Sequence, residues 1–553
     1  MNDFKSTAVI STSPCFDYAA QIIETRLTDR DIAQSDSSDS YKLSLISDTS
    51  LSDGAYRIEI KDNKAAEIFA QSISGMLNGA GYFLKKCEFT EDGFTPSLPA
   101  GKSIMFTPEC SVRGAYFASH FHNFYHVAPI DEFIRYLEDL SLWGINAVMA
   151  IVPMIDIKSV DDPEKEESIC RISALFSAAK KLGMKTCTIL STNGGYCDFP
   201  REYAITPLRD ELGRRGNTGN MMCPNKPVVL ELVDFYNADI LEIFKKYNAP
   251  IDIFMTWPYD EGGCGCEKCS PWGANGFIYT SKRAFELGQK YYPNAIRTIS
   301  TWTYDTPYEG EWEALTESLR EDKWCDMILA DSHESFPRYP LDNGVPGSLP
   351  LIAFPEISMW GLYPWGGFGA NPLSERFTSL WREHDGALDG GFLYSEGIYE
   401  DINKAIIAAL YNDGKTKSDK TLEDYARYEI GLNETSLFVR LCEIIESNHT
   451  LRAKSDAEDS LAAQEAMNIA ISIDAKIPAW AKRAWRWRIV YIRAKIEYYR
   501  SLYNRPQSGA NIYKKLRETP EVVAAFRELI ALFHCSEQAS DDPFHQRVRP
   551  PCD

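Results

Sequence analysis

Eight short apolar runs, separated mostly by amphipathic helical windows, constrain the fold of this 553-residue chain more than any other feature. The runs cover residues 114–118, 145–152, 185–191, 251–256, 297–303, 326–330, 351–354 and 391–394. Only the sixth connection, residues 331–350, reads as a loop instead of a helix. This alternation is typical of a (β/α)8 TIM barrel within the α/β class. An open doubly wound sheet is the alternative, but no glycine-rich phosphate loop follows the first run. We therefore predict a barrel.

Two further regions flank the predicted barrel, which we place at residues 108–413. Residues 1–107 read as a small α/β domain, with a half-buried strand beginning at Tyr56 and a helical apolar period over residues 65–84. Residues 414–553 read almost wholly as helix and predict a C-terminal α-helical domain that packs on the barrel or on a second subunit. The sequence thus predicts three domains.

Composition and charge exclude several classes of protein. The chain has 79 acidic and 58 basic side chains, a formal charge of −21, which argues against a general nucleic-acid binder. The chain contains no apolar run long enough to span a membrane, and its first residues lack the pattern of a secretory signal. Its 14 cysteines fit reduced thiols better than a disulfide framework. We therefore expect a cytoplasmic protein without nucleic-acid or membrane partners.

Carboxylates and tryptophans concentrate where the predicted strands end, which is where a barrel carries its reactive side chains. Asp260 and Glu261 end the fourth run, Glu356 ends the seventh and Glu396 ends the eighth. Indole rings follow the same ends, at Trp257, Trp302, Trp360 and Trp365. Paired carboxylates beside aromatic walls are what glycosidic cleavage requires, one as the acid and one to stabilise or attack the sugar. The alternative for any single acid is a helix cap or an ion pair.

A cysteine motif directly follows Asp260 and Glu261. Cys264, Cys266 and Cys269 form a CxCxxC, whose thiolates can hold a tetrahedral Zn²⁺ if a fourth ligand is present. Cys223 in the preceding loop is our candidate for that ligand, and four thiolates would make the site closed and structural. The alternative is a reduced cysteine cluster without metal. No organic cofactor is expected.

Histidines mark the loop after the first run. His120, His122 and His126 lie there among aromatic residues. A neutral histidine at a barrel mouth can bind a ligand hydroxyl, and structural packing or metal binding are the other interpretations. We expect His120 and His122 to bind sugar.

The N-terminal and barrel segments together resemble a known enzyme superfamily. The strand and helix after Tyr56, the Arg-Gly pair at Arg113 and the Gly-x-Asn at Gly144 are similar to bacterial glycoside hydrolases that include family-20 and family-84 hexosaminidases and α-glucuronidases. The resemblance covers roughly residues 55–405 and implies a small α/β domain followed by a catalytic TIM barrel.

Catalytic roles follow from the resemblance residue by residue. In the family-20 pattern an adjacent Asp-Glu ends the fourth strand, which makes Asp260 the residue that orients an acetamido group and Glu261 the general acid. The residues before this pair are Trp-Pro-Tyr, where the family has Gly-Gly. A second pattern pairs an acid on strand four with a nucleophile on strand seven, which makes Glu356 the nucleophile. We further expect the sugar to be bound by Arg113, His120, His122, Trp257, Trp302, Trp360 and Glu396.

The sequence therefore predicts an exo-acting glycosidase that removes a terminal sugar, with N-acetylhexosamine favoured and a uronic acid or neutral sugar as the alternative. A non-catalytic carbohydrate-binding protein and a zinc-dependent hydrolase of another bond remain open. The expected partners are a carbohydrate substrate and a second copy of the chain, as a homodimer formed through the C-terminal helices.

Overall fold

The computed structural model describes twelve segments of the chain, and all structural statements below concern them. The segments are residues 4–91, 93–119, 123–208, 219–260, 262–303, 308–332, 338–357, 370–384, 386–395, 397–448, 456–503 and 512–533.

The N-terminal region is a six-stranded mixed sheet with two helices and a separate two-stranded ribbon. Its strands are β1 (Ser6–Ser11), β2 (Ala33–Gln34), β3 (Tyr41–Ser47), β4 (Tyr56–Asp62), β5 (Ala65–Ala70) and β8 (Ser103–Phe106), in the order β2-β1-β3-β5-β4-β8. The ribbon pairs β6 (Cys87–Phe89) with β7 (Phe94–Pro96), and the helices are α1 (Asp17–Thr28) and α2 (Ile73–Lys85).

The helical period predicted over residues 65–84 is wrong in its first third. Ala65–Ala70 is strand β5, in which buried and half-buried residues alternate with a period of two. The helix starts only after Ser72, whose hydroxyl oxygen accepts a hydrogen bond from the Gly75 amide at 3.3 Å and caps it. Two pairings decide the strand: an antiparallel hairpin with the adjacent β4, and a parallel pairing with β3 that lies outside a local window.

The predicted barrel is confirmed, because eight parallel strands close on themselves. The strands are β9 (Val112–Phe117), β10 (Ala147–Met149), β11 (Lys185–Ile189), β12 (Ile253–Thr256), β13 (Ile296–Ser300), β14 (Met327–Ser332), β15 (Leu351–Pro355) and β16 (Gly390–Ser395). Each falls largely within one of the eight predicted runs, and pairing of β16 with β9 completes the cylinder.

Helices cover the outside of the barrel. They are α3 (Phe124–Val127), α4 (Ile130–Leu142), α5 (Pro163–Lys181), α6 (Val229–Lys246), α7 (Ile278–Tyr291), α8 (Glu311–Glu321), α9 (Arg338–Asn343), α10 (Ser374–Glu383) and α11 (Asp401–Asn412). The connection predicted as a loop contains the short α9, so that prediction is wrong for Arg338–Asn343. In α4, Phe133, Tyr136, Leu137 and Leu140 form the buried apolar stripe that attaches a helix to a sheet.

The C-terminal region is helical, as predicted. It comprises α12 (Ser418–Ile430), α13 (Thr435–Ser447), α14 (Asp456–Lys476), α15 (Ala479–Arg483), α16 (Trp485–Leu502), α17 (Ile512–Arg517) and α18 (Pro520–Ile530). Among the described residues no helix combines the length and the apolar character needed to cross a bilayer.

A buried ion cluster joins these helices to the barrel. Arg486 on α16 lies 2.8 Å from Asp401 on α11, 3.0 Å from Asp139 on α4 and 3.5 Å from Glu429 on α12. Burial alone would raise the pKa of Asp139, but Arg26 and Arg486 together lower that pKa to about 2. The cluster therefore keeps Asp139 charged and ties three parts of the chain together.

Candidate functional site

An aromatic layer crosses the interior of the barrel near the C-terminal ends of its strands. Trp257 and Trp302 have ring centroids 6.1 Å apart, and Phe354 meets Trp257 edge-on at 5.1 Å. Tyr394 and Tyr116 continue the layer on the other side of Phe354, at 5.3 Å and 5.7 Å. Both predicted tryptophans that the structure describes are thus brought together in the barrel interior. They form an apolar floor on which a flat face of a ligand can rest.

Glu356 lies one step above this floor. Ile352 and Phe354 point into the barrel, and because side chains alternate along a strand, Glu356 continues the same inward row. It forms a parallel bridge with Tyr394 of the neighbouring strand, and only 6% of its surface is exposed. A buried carboxylate at the C-terminal end of a barrel strand is positioned to act on a bound ligand.

Asp331 continues the inward row of the neighbouring strand β14, after Met327 and Leu329. It is 5% exposed, and its carboxylate accepts a hydrogen bond from the Thr303 amide at 2.9 Å. Thr303 itself has a left-handed backbone, with φ of 62°. Asp331 is not among the candidates selected from the sequence, and the inward alternation of β14 is the signal that distinguishes it.

The loop after β12 carries the predicted acidic pair. Asp260 is exposed and has a left-handed backbone with φ of 68°, a conformation that non-glycine residues adopt rarely and that concentrates at functional sites. Glu261 lies outside the described residues. On one side, the Tyr259 hydroxyl donates to the buried carboxylate of Glu311, which also accepts the Gly273 amide at 2.9 Å. These bonds anchor the loop immediately before Asp260.

Four cysteine sulfurs meet on the other side of this loop. The sulfurs of Cys223, Cys264, Cys266 and Cys269 all lie within 4.8 Å of one another, so Cys223 lies beside the three cysteines of the CxCxxC. Cys223 Sγ and Cys266 Sγ are 3.8 Å apart, and the Asn225 side-chain amide donates to Cys269 Sγ at 2.9 Å. A set of four converging sulfurs suits a tetrahedral soft metal ion.

The cysteines of the described chain include both free thiols and a disulfide-bonded residue. Eleven cysteines of the described chain are free thiols, including the four of the cluster. Cys197, on the loop after β11, is instead disulfide-bonded. The four cysteines of the cluster thus form no disulfide, whereas Cys197 does.

Arg113 does not lie in the candidate site. It is the second residue of β9, at the N-terminal end of the barrel strands and so opposite the mouth. Its guanidinium is buried and donates to the carbonyl oxygens of Gly144 and Cys110 at 2.7 Å and 2.8 Å. The residue joins the barrel base to the N-terminal sheet, where its Nη2 packs on Gly54. Of the other predicted ligands, His120, His122, Trp360 and Glu396 lie outside the described residues.

A buried glutamate lies behind the end of β16. Glu400 is 1% exposed, and the nearest cation is Lys404, whose Nζ lies 3.8 Å from Glu400 Oε2 and donates to the Gly397 carbonyl at 2.9 Å. Burial raises the pKa of Glu400 to about 7, an effect that Lys404 offsets only in part and to which Asp401 adds. The carboxyl therefore titrates near neutrality, next to the segment that forms one wall of the mouth.

We expect the Glu400→Gln substitution to remove a pH dependence of stability. Because the folded-state pKa lies above the ordinary 4.5, the folded protein binds the proton more tightly, and the stability from Glu400 falls as pH rises through about 7. The melting temperature of the variant relative to the natural protein should therefore increase between about pH 5 and about pH 8. Glu434→Gln, at an exposed glutamate, is the control with no such trend. A difference that stays constant with pH would contradict the assignment.

Comparisons with known proteins find similar structures but no similar sequences. No family model and no curated protein sequence matches the chain. Among solved structures, the chain is similar to the family 89 glycoside hydrolase of Clostridium perfringens with a TM-score of 0.61 and 12% identity, over 94% of this chain and 64% of that chain. A GH115 4-O-methyl-α-glucuronidase has a TM-score of 0.57 and 10% identity, over 99% of this chain and 78% of that chain.

A GH138 enzyme that targets pectin rhamnogalacturonan II gives a TM-score of 0.56 and 11% identity, over 98% of this chain and 76% of that chain. The chain has the fold of these glycoside hydrolases. The order of its regions, with an α/β sheet before the barrel and helices after it, extends the similarity over nearly the whole chain.

Proposed function

We propose that this protein is an exo-acting glycoside hydrolase in which Glu261 is the general acid and Glu356 the second carboxylate. The observation that carries the proposal is the position of Glu356, buried at the barrel mouth directly above the layer of Trp257, Phe354 and Trp302. Retaining glycosidases place a nucleophilic carboxylate against the sugar while an acid protonates the leaving oxygen. The fold shared with several families of glycoside hydrolases supports the same class of reaction.

A terminal N-acetylhexosamine is the proposed sugar. The Clostridium perfringens enzyme was solved with its substrate GlcNAc-α-1,4-galactose, and a family 20 exo-β-N-acetylglucosaminidase of Vibrio harveyi was solved with N-acetylglucosamine. An aromatic floor can contact the apolar face of such a ring, while the exposed Asp260 would orient its acetamido group. A uronic acid is the alternative sugar, in line with the similarity to the α-glucuronidase.

A substrate screen with one matched variant tests this function. Purified protein is assayed against aryl α- and β-N-acetylhexosaminides, glucuronides and neutral hexosides, with Glu261→Gln beside it. Release from an N-acetylhexosaminide that the variant loses supports the proposal. Release that survives in the variant rules out Glu261 as the acid. Binding of sugars without turnover by either protein favours the non-catalytic alternative.

We further propose that the four-cysteine cluster holds one Zn²⁺. Four thiolates fill a tetrahedral coordination shell and leave no position for water or substrate, which makes the ion structural and not catalytic. The cluster links the loop after β11, through Cys223, to the loop after β12, through the other three cysteines. The metal would contribute folding stability, because ligands from two separate loops converge only in the folded chain.

Metal removal is expected to lower stability before it lowers activity. Protein purified with a thiol reductant should carry about one zinc per chain, and removing it should lower the melting temperature by about 5 °C or more. Cys264→Ser should have the same effect, whereas Cys170→Ser, at an exposed thiol, should have none. Activity lost at once with no change in melting temperature would instead indicate a catalytic zinc.

A further inference from the structure

Asn193, at the C-terminal side of β11, makes an unusual set of hydrogen bonds for a side chain that is fully buried. Its Nδ2 donates to the carbonyl oxygens of Gly263 and Met222 at 2.8 Å and 2.9 Å. Its Oδ1 accepts from the Gly263 amide at 3.1 Å, and its own carbonyl accepts from the Met222 amide at 2.7 Å. One asparagine thus satisfies both backbone groups of Gly263 and both of Met222.

The two residues that Asn193 holds are each adjacent to a cysteine of the cluster. Met222 precedes Cys223, and Gly263 precedes Cys264. Gly263 is also two residues beyond Glu261. The side chain of Asn193 therefore stands between the metal-binding sulfurs and the loop that carries the proposed acid, and it is bonded to both sides.

Close packing leaves this loop little freedom to shift. A Cβ at Gly262 would lie 2.8 Å from Thr192 Oγ1, and one at Gly265 would lie 2.5 Å from the Pro207 carbonyl oxygen. Gly265 in turn donates to the Thr206 carbonyl at 2.8 Å. Asp260 has a left-handed backbone, with φ of 68°, and the loop is held before it by the Tyr259 hydroxyl and after it by the bonds of Gly263.

We propose that Asn193 is a positioning residue that couples the four-cysteine metal centre to the loop carrying Asp260 and Glu261. Metal binding orders Cys223 and Cys264, and Asn193 transmits that order to Gly263 and so to the loop that begins at Asp260. The kinetic consequence rests on the proposed glycosidase function, whereas the coupling rests only on the proposed zinc site. Groups that orient the surroundings of a metal typically change its affinity about 10- to 100-fold when they are removed.

The chain offers a matched control for an Asn193→Ala test. Asn237 on α6 is equally buried and also clamps one backbone residue, accepting from the Ser191 amide at 3.0 Å and donating to its carbonyl at 2.9 Å. Asn237→Ala thus removes a similar clamp near the end of the same strand without touching Met222 or Gly263. If both variants lower the melting temperature by a similar amount, they are equally destabilised. Any difference between them in zinc affinity or in hydrogen exchange of the loop then reports coupling.

Two measurements need no substrate. Zinc affinity, by competition with a chromophoric chelator, should fall at least about tenfold in Asn193→Ala and stay within about twofold in Asn237→Ala. Amide hydrogen exchange of residues 257–269 should rise in Asn193→Ala only. If both variants give the same zinc affinity and the same exchange in that loop, Asn193 has no coupling role and the proposal is overturned.

The natural protein provides a second test, which holds even if Asn193→Ala does not fold. Removing zinc should raise hydrogen exchange both in residues 257–269 and in residues 191–194. Increased exchange confined to residues 264–269 would overturn the coupling.

With an active substrate, kcat should fall about tenfold or more in Asn193→Ala while KM changes little, because the acid is displaced but the sugar site remains. If the protein shows no glycosidase activity but both exchange tests give the expected result, the proposed function is contradicted and the coupling through Asn193 is still supported.

Discussion

Replacing Glu356 by Gln should reduce kcat/KM on an aryl glycoside by at least about a thousandfold, since the substitution removes the second carboxylate while preserving its size. Glutamine cannot attack the anomeric carbon or stabilise its positive charge as a carboxylate does. The aromatic floor beneath Glu356 should remain intact, so binding of the sugar itself should change far less. Steady-state kinetics combined with calorimetric titration of the product sugar separates the two effects.

Glu446→Gln is the control for this prediction. Glu446 is 4% exposed, close to the 6% of Glu356, but its carboxylate caps the start of α10 through the amides of Glu375 and Arg376. The control variant should lose stability and keep its catalytic constants. Glu356→Ala with added azide then tests the role directly, because azide can replace the missing nucleophile and yield a glycosyl azide.

The outcomes distinguish the two carboxylate patterns. A Glu356→Gln variant that stays active while Glu261→Gln and Asp260→Asn are inactive would favour a mechanism assisted by the substrate acetamido group. Inactive Glu356→Gln with azide rescue of Glu356→Ala would assign Glu356 as the nucleophile. Full activity in Glu356→Gln, Glu261→Gln and Asp260→Asn would show that none of these three residues is catalytic.

Arg486→Met should lower the free energy of unfolding by about 3–5 kcal/mol, the largest stability effect that we expect from a single substitution. The change leaves Asp139, Asp401 and Glu429 buried in the ion cluster without their shared cation. Burial already raises the pKa of Glu429, so loss of Arg486 should make its ionised form still less favourable. Urea unfolding, followed by both fluorescence and circular dichroism, measures the shift in midpoint.

A second arginine on the same helix provides the comparison. Arg488 pairs with Glu528, but the two side chains are 27% and 34% exposed, and exposed pairs contribute at most about 1 kcal/mol. Arg488→Met should therefore move the urea midpoint only slightly. Equal losses in the two variants would show that the buried cluster adds nothing beyond an ordinary surface pair.

Periodicity determined the predictions that succeeded. The eight barrel strands fall where apolar runs of strand length lie between helical windows, because both periods follow directly from the order of residues. The cluster of Cys264, Cys266 and Cys269 is local in sequence, and the presence of Cys223 on the preceding loop placed the fourth member correctly. The strand periodicity and the CxCxxC motif depend only on residues that are close together in the sequence.

Contacts between distant segments decided the rest. β5 resembled the start of a helix, but its parallel pairing with β3, 23 residues earlier in register, makes it a strand together with its hairpin to the adjacent β4. Arg113 looked like a ligand of the substrate, but its place at the start of β9 turns it to the base of the barrel. Nothing in the local sequence marks Asn193, because its partners Met222 and Gly263 lie 29 and 70 residues away.

The amino-acid sequence by itself determined the class of this fold, the end of the barrel that carries its carboxylates and indoles, and the set of cysteines available to a metal. Only the tertiary structure decided which of these side chains meet. It brings Trp257, Trp302 and Glu356 into one mouth, four sulfurs to within 4.8 Å, and Asn193 between that cluster and the loop of Asp260. The physical reason is that backbone pairing around a closed barrel sets the register of every strand, and register determines which inward-facing residues share a layer.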